Sequence, residues 1–179
     1  AFKNHNLPAQ GVGLARLEFI IASHIGIHPN VLIDYKKLKQ EKKKTEIRKI
    51  LKKIDDLTPL YKDKTQFYID NLAFGIAKIA TTFFPKEVIV RFSDFKTNEY
   101  RSLIGGEIFE NTEENPMLGF RGAMRYIDPD FRECFSLECA AIRYLIEKMQ
   151  LDNITLLIPF ERTPEEINKI FNLLKKEKL

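Results

Sequence analysis

The 179 residues predict an α/β fold built on a parallel sheet. Two observations carry that expectation. Three short runs rich in apolar and β-branched residues, GVGLA, VIVRF and ITLLIPF, have the composition of strands. Between them lie segments with apolar residues at three- and four-residue spacing, the signature of helices packed by one face. Strands that alternate with helices must be joined by crossovers, and right-handed crossovers generate a parallel sheet. A third observation concerns charge: Arg16, Arg91 and the pair Glu161-Arg162 each stand at the end of one of the three runs.

In chain order, AFKNHNLPAQ begins without Met and without signal-peptide architecture, so the chain is expected to be a piece of a longer protein. GVGLARLEFI reads as a short strand leading into a helix; its GVG lacks the third glycine of a dinucleotide fingerprint. IASHIGIHPN is an irregular link that the His28-Pro29 step should hold extended. A Lys-rich helical insertion follows at about residues 36–56, with Leu38, Ile47, Ile50, Leu51 and Ile54 forming its apolar stripe. Aromatic stacking platforms are absent from it, so it is expected to be a solvated surface helix, and nucleic acid is not the expected partner. Ile69, Leu72, Ile76, Ile79 and Phe83 mark an amphipathic helix that Pro85 stops, and the strand VIVRF comes next.

Residues 95–127 form the longest stretch without periodicity, and a loop of that length is expected to be functional. Asp128-Pro129 should cap a helix whose stripe is Phe131, Phe135, Cys139, Ile142, Ile146 and Met149. ITLLIPF should be a third buried strand. Thr163-Pro164-Glu165-Glu166 combines a capping box with proline at the first helical position, opening a final helix that should bury Ile167, Ile170, Phe171 and Leu174.

Hydrophobic residues at 44% and charged residues at 30% fit one globular domain, residues 1–179, and no apolar run approaches the roughly 20 residues of a membrane span. Cys134 and Cys139, five residues apart, suit neither a zinc knuckle nor a redox pair and are expected to be buried thiols of a cytoplasmic protein. His5, His24 and His28 lack metal-ligand spacing, and no Walker A or GxSxG sequence occurs. Three strands do not close a barrel, since a complete (β/α)8 TIM barrel needs roughly 250 residues. If the parent fold is a barrel, the chain is part of one.

Ligands of both barrels and open parallel sheets bind at the carboxyl ends of strands. Arg16 and Arg91 are expected there, with Arg121 joining them from the long loop. The planar guanidinium grips a carboxylate or phosphate by two parallel hydrogen bonds and keeps its charge when half-buried. Such an arrangement could hold a small phosphorylated acid. The competing reading is structural: Arg16 paired with Glu18, and Arg91 with Asp94 or Glu99. Spacing alone leaves both open.

GVGLARLEFI, GIHP, FFPKEVIVRFSDFKTNEYR, ENPMLGFRGAMRY, DFRECFSLECAAI and LLIPFERT occur here in one order. Together they closely resemble the phosphoenolpyruvate-binding barrel of the phosphoenolpyruvate synthase (pyruvate, water dikinase) family, over about residues 7–174. Pyruvate phosphate dikinase and enzyme I of the sugar phosphotransferase system are related, though FSDFKTNEYR and ENPMLGFRG are most similar to the synthase. A basic module binding nucleic acid or acidic partners through the Lys-rich helix is the alternative from another class.

The resemblance implies a partial TIM barrel from a transferase that uses ATP to phosphorylate a histidine on a mobile domain and passes the phosphoryl group to pyruvate. It implies that Arg16 and Arg91 bind substrate and that Arg121 lines the same pocket. It implies Mg2+ and ATP as cofactors of the complete enzyme, with neither expected on this chain alone. The family's magnesium ligands lie in segments resembling CEIPSN and GSNDM, and neither is present. No catalytic group and no metal ligand is therefore expected here. The expected partners are pyruvate or phosphoenolpyruvate, the remaining parts of the parent enzyme, and further copies of the chain covering its strand edges.

Overall fold

The three runs form strands β1 (Val12–Arg16), β2 (Val88–Arg91) and β3 (Ile154–Leu157), all parallel, in the order β1-β2-β3. The structure is a computed structural model that describes residues 3, 6–41, 45–114 and 117–179. His5, Lys42, Lys43, Lys44, Asn115 and Pro116 lie outside the described residues. β1 can enter beside β2 because residue 11 has no side chain: a Cβ on Gly11 would lie 2.3 Å from the Glu87 carbonyl oxygen. That same oxygen accepts the Val12 N–H at 2.9 Å.

The crossover from β1 to β2 carries α1 (Leu17–Ile20), a π-helical turn (Ile21–Ile25), α2 (Pro29–Ile33), α3 (Tyr35–Gln40), α4 (Thr45–Leu57) and α5 (Lys64–Phe83). The crossover from β2 to β3 carries α6 (Thr97–Ser102), a 3-10 turn (Gly106–Ile108), α7 (Ala123–Ile127) and α8 (Arg132–Glu147). Helix α9 (Pro164–Lys176) follows β3. The long helices α5 and α8 pack on each other, burying Leu72, Ile76 and Ala80 against Phe135, Cys139 and Ile142, with Val88 and Val90 of β2 in the same core. Each large side chain of this kind stabilises the fold by roughly 1.5–3 kcal/mol on burial. Parallel strands with helical crossovers are the expected α/β architecture, a partial (β/α)8 barrel.

Several boundaries differ from the sequence expectation. The link at residues 21–30 is ordered: a π turn occupies its first half, and His28 caps α2, its Nδ1 accepting the Asn30 N–H at 3.2 Å. The Lys-rich run is two helices, α3 and α4, because Leu38 serves one buried stripe while Ile47, Leu51 and Ile54 serve another. The tract at residues 95–127 contains α6 and α7, each too short to leave a periodic signal. Helix α8 starts at Arg132, since the Asp128 carboxylate accepts the Asp130 N–H at 2.9 Å and so makes a turn rather than a helix cap.

Along α8 the predicted stripe is buried through Ile142, whereas Ile146 is exposed and Met149 falls beyond the helix end. Strand β3 is half-buried rather than buried, because it lies at an edge of the described sheet. Thr163 caps α9 as expected, its Oγ1 accepting the Glu166 N–H at 3.2 Å; Ile170 and Leu174 are buried and Ile167 is half-buried. Phe171, expected inside, is 52% exposed. Both cysteines are buried free thiols. Among the described residues no helix is long and apolar enough to cross a membrane.

Candidate anion-binding site

Parallel register fixes the site. Arg16 ends β1, Arg91 ends β2, and the two are Cα partners across the pair, with Leu157 of β3 next in the row. Everything that follows the strands, the βα loops, therefore converges on one edge of the sheet.

Arg91 is 18% exposed at its side chain and donates from Nη2 to Glu18 Oε1 at 2.6 Å, with Nη1 3.6 Å from Asp94 Oδ2. The Asp94 side chain has 0% exposure and receives Arg121 as a fork, Nε on Oδ1 and Nη2 on Oδ2, both at 2.8 Å. Arg121 also donates from Nη2 to the Asp94 carbonyl at 3.2 Å, and its guanidinium lies 4.5 Å from the Phe160 ring centroid. The hydrogen bonds that Arg121 donates to Asp94, together with the Asp94 charge, hold the guanidinium more firmly protonated than an ordinary arginine. Glu18 closes the set by accepting the Asp94 N–H on the oxygen that also binds Arg91, at 2.7 Å.

Local sequence explains this convergence. Glu18 stands in the first turn of α1, immediately after β1, and Asp94 stands three residues beyond the end of β2. Arg121 reaches them because GFRG seats its backbone on the chain after β3. Gly122 has φ 60°, and a Cβ there would lie 2.5 Å from the Pro159 carbonyl oxygen. Ala123 N–H donates to that oxygen at 3.0 Å, and Phe160 takes a left-handed φ of 57°, with its ring against Arg121. A non-glycine residue in that region costs energy and marks a site that the surroundings over-determine.

Of the three predicted site residues, the structure joins Arg91 and Arg121 through Asp94. Arg16 is exposed beside them, its guanidinium 5.8 Å from the Phe19 ring, and no carboxylate pairs with it among the described residues. Of the structural pairings expected from sequence, Arg91 with Asp94 is present at 3.6 Å, and the others are rearranged. Glu18 pairs with Arg91 rather than Arg16, and Glu99 caps α6, its Oε2 accepting the Lys96 N–H at 2.7 Å. Yet the ion pairs do not saturate the site: Arg91 Nε and Glu18 Oε2 are buried and meet no partner among the described residues. Buried polar atoms left unpaired are uncommon and call for an explanation. Arg162, after β3, has no ion pair with this cluster among the described residues; its backbone N–H donates to Glu166 Oε2 at 2.8 Å.

A second buried cluster, without a sequence signal, lies behind the loops. Arg125 of α7 donates from Nη1 to Glu110 Oε1 at 2.6 Å and from Nη2 to Thr97 Oγ1 at 3.2 Å. His28 Nδ1 already accepts the Asn30 N–H, so the ring proton sits on Nε2 and donates to Glu110 Oε1 at 3.1 Å. Burial holds His28 below its ordinary pKa. His28 is thus structural, as expected, and His24 is an exposed residue beside Ser23, with Nδ1 2.6 Å from the hydroxyl.

Magnesium prefers a near-octahedral shell of oxygen ligands. Among the described residues no three His, Cys, Asp or Glu side chains are grouped to hold a metal ion. The carboxylates nearest the arginines, Glu18 and Asp94, are bound by guanidinium groups. These residues do not fit a magnesium ion.

Residues 1–179 match the family described as PEP-utilising enzyme, PEP-binding domain. The chain is 49% identical over 180 residues to the phosphoenolpyruvate synthase of Synechocystis sp., covering 100% of this chain and 21% of that protein. It is 45% identical over 179 residues to the phosphoenolpyruvate synthase of Escherichia coli, covering 100% and 22%. For the phosphoenolpyruvate synthase of Aquifex aeolicus the identity is 44% over 214 residues, covering 98% and 25%. The chain thus spans about a fifth to a quarter of the length of these relatives. Its architecture and this match along the whole sequence agree: the chain belongs to the PEP-binding domain family of the PEP-utilising enzymes.

Proposed function

We propose that the chain is part of a phosphoenolpyruvate synthase and that Arg16, Arg91 and Arg121 hold the substrate anion. The observation that carries this reading is the row formed by Arg16 and Arg91 at the carboxyl edge of the sheet, with a buried Arg91 Nε that has no acceptor among the described residues. A carboxylate or phosphate oxygen is the group that such a nitrogen takes, and a charge-assisted hydrogen bond contributes roughly 1.5–3 kcal/mol net.

In this reading the parent enzyme passes a phosphoryl group from ATP to a histidine outside this chain. Pyruvate gives up a methyl proton to a base outside this chain, and the N–P bond of the phosphohistidine breaks as the resulting enolate oxygen forms a bond to phosphorus, leaving the histidine free. This chain's part is to bind and orient: Arg91 is held by Glu18 and Asp94, Arg121 by Asp94, and Arg16 is exposed for the ligand. Magnesium and ATP belong to the complete, cytoplasmic enzyme, and this chain contributes no catalytic group of its own.

Calorimetric titration with phosphoenolpyruvate tests the reading. The chain should give a saturable isotherm, and Arg91→Lys should weaken affinity about tenfold or more, since lysine keeps the charge but loses the fork. An isotherm indistinguishable between the two proteins, or no saturable heat from either, overturns it.

A further inference from the structure

Ser93 lies between Phe92 and Asp94, in the loop that presents Asp94 to both arginines. All of its polar groups are held. Its N–H donates to Glu138 Oε2 at 3.1 Å and its hydroxyl donates to Glu138 Oε1. With that proton committed, Ser93 Oγ accepts from the Tyr100 hydroxyl, 2.8 Å away, and the Ser93 carbonyl accepts the Tyr126 hydroxyl. Glu138 projects from α8, is wholly buried, and has no cation within ion-pair distance among the described residues. A buried carboxylate without a cation is expensive, and an apolar residue would be the stable choice unless its acceptors are needed.

We propose that Glu138 is a positioning residue for the arginine site: through Ser93 it fixes the loop that carries Asp94, and so sets the aim of Arg91 and Arg121. The ligand arm of this inference rests on the anion-binding reading above; the mechanical arm does not.

Burial pushes the Glu138 carboxyl up to about 7, against the pull of its two bonds from Ser93, and Glu18 pushes in the same direction as burial. The groups facing it are Tyr68 from α5, Tyr100 from α6, Tyr126 from α7, Cys134 and Cys139 from α8, and Glu18 from α1. Burial raises every one of those tyrosines and cysteines, so they stay neutral near pH 7. The ionised Glu138 accepts from both Ser93 donors. Once protonated, one of its oxygens carries a hydrogen, and a Ser93 donor loses a good acceptor. The loop should therefore be held most firmly above the midpoint.

The test follows the 15N-labelled chain through a pH titration. The Ser93 amide and the Arg121 Nε–H should move together with a midpoint near 7. In Glu138→Gln, which keeps the side-chain volume, both should stay flat. Ser93→Ala removes a bond that favours the charged carboxylate and should shift the Arg121 midpoint upward. Affinity for phosphoenolpyruvate should fall about fivefold or more as pH drops through the midpoint, and this dependence should vanish in Glu138→Gln. An Arg121 signal that does not titrate with Ser93, or one that still titrates in Glu138→Gln, overturns the inference. Coupled titration of Ser93 and Arg121 without phosphoenolpyruvate binding at any pH leaves the positioning role standing and overturns the ligand reading.

Discussion

Asp94→Asn should destabilise the fold far more than a surface charge removal would. The Asp94 side chain has 0% exposure and takes two bonds from Arg121 at 2.8 Å, with Arg91 Nη1 3.6 Å away. Asparagine replaces one carboxylate oxygen with an amide that points hydrogens at a guanidinium, so one arm of the fork becomes donor against donor. Removing one partner of a buried ion pair costs about 3–5 kcal/mol, because the remaining charge stays uncompensated. Arg121 and Arg91 retain 17% and 18% side-chain exposure, which lets water take up part of the loss. That places the expected cost near the lower end, about 3 kcal/mol. Equilibrium urea unfolding at constant pH measures it as a drop in midpoint at unchanged slope. Arg121→Gln placed on top of Asp94→Asn should recover part of the loss, since the orphaned charge goes with it. A cost below about 1 kcal/mol for Asp94→Asn, the value typical of exposed pairs, would refute the claim that this pair organises the loops.

Arg91→Lys in the complete parent enzyme should lower kcat/KM about tenfold or more, and near-normal kinetics would make Arg91 a structural residue only. The purified chain should form no phosphoenolpyruvate from pyruvate and ATP; product above a mock preparation would contradict this. Glu138 should make stability pH-dependent: its folded pKa, about 7, lies above the ordinary 4.5, so its contribution is complete below about 4.5 and is lost as pH rises through 7. That loss is on the order of 3 kcal/mol, and urea midpoints of Glu138→Gln should be flatter between these limits than those of the parent; parallel curves would sink the assignment. The chain should self-associate at micromolar concentration, because among the described residues β1 and β3 each pair on one side only, beside exposed Leu14, Phe19 and Phe160. Light scattering that returns a clean monomer would show that it covers its own edges.

The strands and long helices were legible because each carries a signal longer than its own ambiguity. VIVRF is a β-branched run bounded by Pro85 and Asp94, and α5 repeats its apolar spacing over 20 residues. The misreadings fall where an element is shorter than two helical turns. Helices α2 and α7 and the π turn at Ile21–Ile25 have five residues each, so none repeats its apolar spacing. Exposure of Phe171 was illegible for another reason: periodicity says which residues share a face, and the fold decides whether anything covers it.

The site shows the same division between what composition can place and what only tertiary structure can. Arg16 and Arg91 were expected at one edge because strand ends and a parallel sheet require it. Which carboxylate each arginine faces depends on loops, and here Glu18 crosses from β1 to the neighbouring strand's arginine. Glu138 was invisible because its partner Ser93 is 45 residues away and α8 looks apolar around it. A carboxyl whose ionisation opposes stability near pH 7 has no place in a core selected for stability alone. It fits a core that must also hold one loop in one conformation, because a fully bonded polar network specifies geometry where apolar packing tolerates several. The acidic residue in the core and the arginines at the sheet edge are, on this argument, two ends of one device.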